Sequence, residues 1–228
     1  MTINVDVISD VICPWCYIGK RRLEKAVALS GRDDVRVRWH PFQLNPRMPK
    51  AGISRQEYRT AKFGSWERSL ALDAQVNEAG RAEGISFAFD KIERTLNTLD
   101  AHRLIWRADQ DGVQDAVVEA LFQAYFTEGR DIADAQTLLD VVGEAGLDRS
   151  RAESLLGGDD GMEAIRAAEE RARSAGVQGV PFFIVNDSLV LSGAREPKDF
   201  LAAFNQAGAS ATGAGSNCKI GPGENPSC

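Results

Sequence analysis

Ile3-Asn4-Val5-Asp6-Val7-Ile8-Ser9-Asp10-Val11-Ile12-Cys13-Pro14-Trp15-Cys16 joins a mostly apolar run to two thiols separated by two residues. Residues 3–8 predict a strand, and its apolar content predicts a central one. Pro14 is tolerated in a first helical turn, where its missing N–H costs nothing. A helix then continues through Ile18, Leu23, Ala26 and Val27, which share one face, and stops near Ser30-Gly31. At i and i+3 on that helix, Cys13 and Cys16 place their sulfurs on one side, close enough to close a small ring. Cys13 meets the helix N-terminus, where unpaired N–H groups and the macrodipole favour a thiolate. This is the arrangement that dithiol–disulfide exchange needs, because the thiolate is the attacking species.

Outward from this junction, Val35-Arg36-Val37-Arg38-Trp39 alternates with period two and predicts a second strand. Pro41, Pro46 and Pro49 interrupt regular structure up to about Ala51. From about Ser54 to Gly176 the pattern is helical. Ser54-x-x-Glu57 has the form of a capping box. Leu96, Leu99, Leu104 and Ile105 form an apolar stripe, as do Val117, Leu121 and Phe122, and then Leu138, Leu139 and Val142. Gly129, Gly143, Gly146 and Gly157-Gly158 mark helix ends, and a last helix of this block covers about 161–174 before Gly176. Strand character returns over 181–185. Asn186-Asp187 makes a turn, 189–191 form a short antiparallel partner, and Pro197 opens a helix with Phe200, Leu201 and Phe204 on its apolar side. After Gln206 the composition turns to Gly, Ala and Ser, too poor in apolar surface to order itself, and ends with Cys218 and Cys228. The expected architecture is α/β: a thioredoxin-like unit over 1–50 and 160–207, an inserted all-helical domain over 51–159, and a flexible tail over 208–228.

With 228 residues and a net charge of −6, the chain has size enough for a substantial core and a balance that argues against nucleic-acid binding. No apolar run approaches about 18 residues, and the N-terminal residues do not read as a secretory signal. The expected compartment is the cytoplasm, with no membrane partner. In that setting a Cys-x-x-Cys is catalytic or metal-binding rather than a structural disulfide. Zinc needs a second ligand pair, and Cys218-x9-Cys228 is unsuitably spaced, so no metal is expected. Asp6, in an apolar strand, reads either as an exposed strand-face residue or as a buried proton acceptor for Cys16. His102 falls in a helical pattern, and its plainer reading is a hydrogen-bonded helix-face residue.

Ser9-Asp10-x-x-Cys13-Pro14-Trp15-Cys16-Tyr17-Ile18-Gly19, Pro41-Phe42-x-Leu44-x-Pro46, Asn97-Thr98-x-x-Ala101-His102-Arg103 and Gly179-Val180-Pro181-Phe182-Phe183 together resemble the DsbA-type branch of the thioredoxin superfamily, in particular its FrnE-like proteins. The resemblance implies that Cys13 attacks a substrate disulfide and Cys16 resolves the mixed disulfide. Val180 and a cis-Pro181 would hold an extended substrate chain, with Pro14, Trp15 and His102 facing substrate and the helical block capping the cleft. It implies no cofactor. Its partners would be proteins or peptides carrying a disulfide or dithiol, together with low-molecular-weight thiols. Strongly oxidising DsbA proteins resemble Cys-Pro-His-Cys, so Trp15 argues against strong oxidising power. The alternative is a small-molecule isomerase or glutathione-dependent transferase on the same scaffold, of the 2-hydroxychromene-2-carboxylate isomerase or kappa-class type. Those resemble a single nucleophile or a serine at this site, and the presence of both Cys13 and Cys16 points away from them. Cys218 and Cys228 are either inert tail thiols or an accessory dithiol that exchanges with the first.

Overall fold

The apolar face of the first strand organises the molecule, whose computed structural model describes residues 2–213. Strand β1 (Ile3–Ser9) is central, flanked by β2 (Val35–Pro41) on one side and β5 (Phe182–Val185) on the other, with β6 (Leu189–Ser192) outermost. β1 and β2 are parallel, with Val5 opposite Val37 and Val7 opposite Trp39. β5 runs antiparallel to β1, pairing Val5 with Val185 and Val7 with Phe183. The β5–β6 hairpin closes through Asn186 and Asp187, both at positive φ (46° and 57°), as a tight hairpin turn matched to strand twist requires.

Cross-strand partners share a face, so Val5, Val7, Phe183 and Val185 form one buried surface. Helix α1 (Pro14–Ser30) and the last helix, α9 (Pro197–Gly213), cover it, with the Phe183 ring edge-on to Phe200. Ile8, Phe182 and Ile184 lie on the opposite face, where Ala172 of α8 (Met162–Ser174) and Val177, just after it, pack with Phe42. α1 stops at Gly31, whose φ of 63° lets its N–H reach the Ala28 carbonyl.

Between β2 and α8 the chain forms α2 (Arg55–Phe63), α3 (Trp66–Ala82), α4 (Leu99–Gln110), α5 (Gln114–Gln123), α6 (Ala135–Glu144) and α7 (Arg149–Gly157). Ser54 accepts from the Glu57 N–H at the start of α2. The block docks through α5, where Phe122 packs edge-on to Trp39. The Gln114 amide also accepts from the Trp39 N–H (2.8 Å) and donates to its carbonyl (3.0 Å). A side chain thereby satisfies backbone groups that an edge strand leaves unpaired.

Two details depart from expectation. A ribbon of β3 (Ile53–Ser54) and β4 (Arg94–Thr95) lies within the helical block; strands of two residues are too short to carry a period-two pattern. α9 also runs on to Gly213, past residue 208, consistent with the high helix propensity of its alanines. Cys218 and Cys228 lie outside the described residues. No helix among the described residues is long and apolar enough to cross a membrane.

Candidate active site

The β1–α1 junction holds both thiols. Cys13 is the N-cap residue of α1 with extended backbone (φ −97°, ψ 111°), and its side chain makes no capping hydrogen bond. Its N–H donates to the Asp10 carbonyl and its own carbonyl accepts from the Cys16 N–H, each at 3.0 Å. Both cysteines are free thiols; Cys13 is 6% exposed and Cys16 is fully buried. The Cys13 Sγ donates to the Val180 carbonyl at 3.5 Å, and the Val180–Pro181 peptide is cis. α1 can approach this strand entry because Gly19 has no side chain: a Cβ there would lie 3.0 Å from Phe183 Cζ and 3.1 Å from Pro181 Cγ.

The two thiols have unequal surroundings. Burial pushes the Cys16 thiol well above its ordinary range. The hydrogen bond and charge of Cys13 push it further, while the Asp10 backbone and the Ser9 hydroxyl act in the opposite sense without prevailing. Cys16 is therefore a protonated thiol at neutral pH.

Behind the junction lies a buried acid that carried no assigned role in the sequence reading. Asp10 is 0% exposed; its Oδ2 accepts from the Leu44 N–H at 2.7 Å and its Oδ1 from the Ile12 N–H at 3.5 Å. His102 Nε2 stands 3.4 Å from Asp10 Oδ1, without the alignment of a hydrogen bond, and is otherwise unpartnered. His102 is 3% exposed and absent from the cleft that Cys13 lines, because α4 points it inward toward Asp10. Asp6 is partly exposed and pairs with His40 at 2.6 Å, away from the thiols. The signal for Asp10 was its position, a polar residue ending an apolar strand three residues before Cys13.

Cys13, Pro14 and Trp15 form one side of a cleft of about 250 Å³. Trp15, 40% exposed, stands on its rim. The helical block supplies the other side. α2 contributes Arg55, Tyr58, Arg59 and Lys62, spaced i, i+3, i+4 and i+7 and so on one helix face. A π-helical turn over Ala124–Glu128 brings the consecutive residues Tyr125 and Phe126 to the same cleft. Sequence reasoning missed this α2 face, because nothing local says what it meets. Asp73 Oδ2 accepts from Arg55 at 2.7 Å and its Oδ1 from Arg59 at 2.6 Å. Burial holds Arg59 below the usual arginine range; Asp73 counters this, and the neighbouring Arg55 charge adds to it. Among the described residues no group of three or more His, Cys, Asp or Glu is placed to hold a metal ion.

The DSBA-like thioredoxin domain model matches residues 4–205. A probable DsbA oxidoreductase from Streptomyces coelicolor superposes with a TM-score of 0.84 at 32% identity, over 96% of this chain and 93% of that one. A 2-hydroxychromene-2-carboxylate isomerase shares the fold at a TM-score of 0.69 and 18% identity, over 93% and 100% of the two chains. The cytosolic disulfide reductase DsbM from Pseudomonas aeruginosa, in a structure with GSH, shares it at 0.60 and 19% identity, over 92% and 98%.

Proposed function

Because the chain belongs to the DSBA-like thioredoxin domain family, we propose that it is a thiol–disulfide oxidoreductase working through Cys13 and Cys16. The Cys13 thiolate attacks one sulfur of a substrate disulfide. That S–S bond breaks, a Cys13–substrate disulfide forms, and the departing thiolate takes up a proton. Cys16 then attacks the Cys13 sulfur, expels the second substrate thiol and leaves a Cys13–Cys16 disulfide, so two electrons pass from enzyme to substrate. The reverse sequence oxidises a substrate dithiol.

Cys16 must lose its proton for the second step. Once Cys13 is bonded to substrate, its hydrogen bond and charge no longer oppose this, and burial is the main cause left. Asp10, whose backbone N–H helps stabilise the Cys16 thiolate, is itself held by its buried carboxylate, which accepts from the Leu44 and Ile12 N–H groups. His102, beside it, is assigned to positioning Asp10. An extended protein or peptide substrate would lie along Val180 and Pro181, with Pro14 and Trp15 at the rim. The exchange needs no cofactor, and we place it in the cytoplasm.

The observation that carries this reading is the placement of Cys13: N-cap of α1, sulfur at the cleft, with a fully buried second thiol one turn behind. Reduction of insulin by dithiothreitol tests it. Wild type should accelerate precipitation of the insulin B chain and Cys13→Ser should not; equal rates contradict the reading. The enclosed cleft favours a second reading, a small-molecule isomerase or glutathione-dependent transferase, in which Cys16→Ser would keep full multiple-turnover activity.

A further inference from the structure

Among the residues lining the cleft, Arg55, Arg59 and Lys62 are cations and Asp73 is the only carboxylate. Asp73 is shared by Arg55 and Arg59. Lys62 Nζ donates to the Tyr58 hydroxyl at 2.9 Å and lies 5.7 Å from the Phe63 ring centre; among the described residues it meets no carboxylate. The wall beside the reactive sulfur therefore carries two positive charges in excess, in a chain whose net charge is −6. A second observation is independent of this charge. Asn45 also lines the cleft; its Oδ1 accepts from the Tyr58 hydroxyl at 2.8 Å, while its buried Nδ2 has no partner. A buried donor without an acceptor is unfavourable unless a ligand supplies one.

We infer that this cleft binds a small disulfide or thiol bearing a carboxylate, with Arg59 and Lys62 receiving the carboxylate and Asn45 Nδ2 donating to the same ligand. The inference rests on the proposed thiol–disulfide chemistry and names its substrate class. A guanidinium presents its donors in a fork that fits a carboxylate, and the low-dielectric aromatic wall strengthens the attraction. Tyr58, Phe63, Phe89, Tyr125 and Phe126 give the apolar body of the ligand a surface to cover. A volume of about 250 Å³ suits a small molecule better than a folded loop. In one turnover the Cys13 thiolate attacks the ligand disulfide, one ligand thiol leaves protonated, and Cys16 displaces the second. The reduced dithiol is the only reductant required.

Three disulfides that share a two-carbon spacer between sulfur and polar group test this: 3,3′-dithiodipropionate, which is anionic, bis(2-hydroxyethyl) disulfide, which is neutral, and cystamine, which is cationic. Single-turnover oxidation of reduced enzyme is followed with each, and every rate is divided by that of the same disulfide with free dithiothreitol. Wild type at low salt should prefer the anionic over the neutral disulfide by about tenfold, with cystamine slowest. Added salt should shrink the preference. Arg59→Gln and Lys62→Gln should each lower the anionic-to-neutral ratio and together bring it near one, while the exposed Arg36→Gln should leave it intact. Lys62 is exposed and meets no carboxylate, so Lys62→Gln keeps the test valid if Arg59→Gln misfolds. A wild-type ratio near one, or a ratio retained in Lys62→Gln and the double variant, overturns the inference and leaves the exchange chemistry standing. A preference for a Glu-flanked peptide disulfide with none among the three small ones overturns it in favour of a peptide. Failure to react with any disulfide instead overturns the underlying thiol–disulfide reading.

Discussion

Along α1, Lys20 and Arg21 meet Glu24, Asp115 and Glu119, two cations against three carboxylates; at the cleft by its first turn, Arg55, Arg59 and Lys62 meet Asp73 alone. In the first cluster each charge has an opposite partner. Burial alone would lower the Lys20 ammonium, but Asp115, Glu24 and Glu119 outweigh it and raise it above the usual lysine range. The Tyr17 phenol, donating to Glu119 at 2.9 Å, is pushed up to about 12, first by burial and then by the Glu119 charge. This cluster joins α1 to α5 and is electrostatically complete within the protein. The cleft is not: its surplus charge faces a cavity beside a reactive sulfur. A closed network fixes where the dithiol helix sits, whereas an open one leaves interaction energy for a ligand.

Removing the central charge of each network breaks the comparison in different ways. Asp73→Asn leaves two guanidiniums with little water to turn to, since the Arg55 and Arg59 side chains are only 7% and 16% exposed. A loss of about 3–5 kcal/mol in urea denaturation is expected, the range for breaking a buried ion pair. Lys20→Met leaves Glu24, Asp115 and Glu119, which are exposed enough to rehydrate. About 2 kcal/mol is expected there, with the screening of partly exposed partners discounting the buried-pair value. A larger loss for Lys20→Met than for Asp73→Asn would contradict the assignment of which network is the more enclosed.

Gly19→Ala is expected to have the smallest effect on stability. Crowding against Phe183 and Pro181 costs about 1–3 kcal/mol, and alanine in place of glycine within a helix returns about 1 kcal/mol. A net loss of roughly 1 kcal/mol follows, and a clear gain would show that α1 and β5 have room between them. The raised Cys16 thiol gives a pH dependence as well. Below its titration Cys16 is neutral and only a small fraction is thiolate, and that fraction grows as pH rises. Release of thiol from a preformed Cys13 mixed disulfide should therefore accelerate by about tenfold per pH unit from neutrality upward. Quenched-flow measurement of thiol release checks this; a rate falling with pH contradicts the role given to Cys16.

The elements that a strong local pattern specifies were legible in advance. The apolar period of β1, Pro14 after the first cysteine, the Gly31 stop and the Asn186-Asp187 turn each leave a local signature, and each stands where the sequence placed it. Long-range placement was not legible. Asp10 precedes the dithiol in sequence, but its burial depends on Leu44 and on His102 from α4. His102 could be put on a helix but not on the side facing away from the cleft. The α2 charges carry no local sign of what they meet, because only the return of α3 and the π-helical turn makes that face a wall of the cleft.

Two thiols three residues apart divide the labour, Cys13 attacking and Cys16 resolving. The most direct measurement of this division is intact-mass analysis with peptide mapping after brief exposure of reduced Cys16→Ser and Cys13→Ser, at neutral pH, to bis(2-hydroxyethyl) disulfide. Cys16→Ser is expected to accumulate a stable adduct on Cys13, because attack is intact and resolution is lost. Cys13→Ser is expected to stay unmodified, because Cys16 is buried and protonated. An adduct on Cys16 forming in Cys13→Ser as fast as the one on Cys13 would contradict the account.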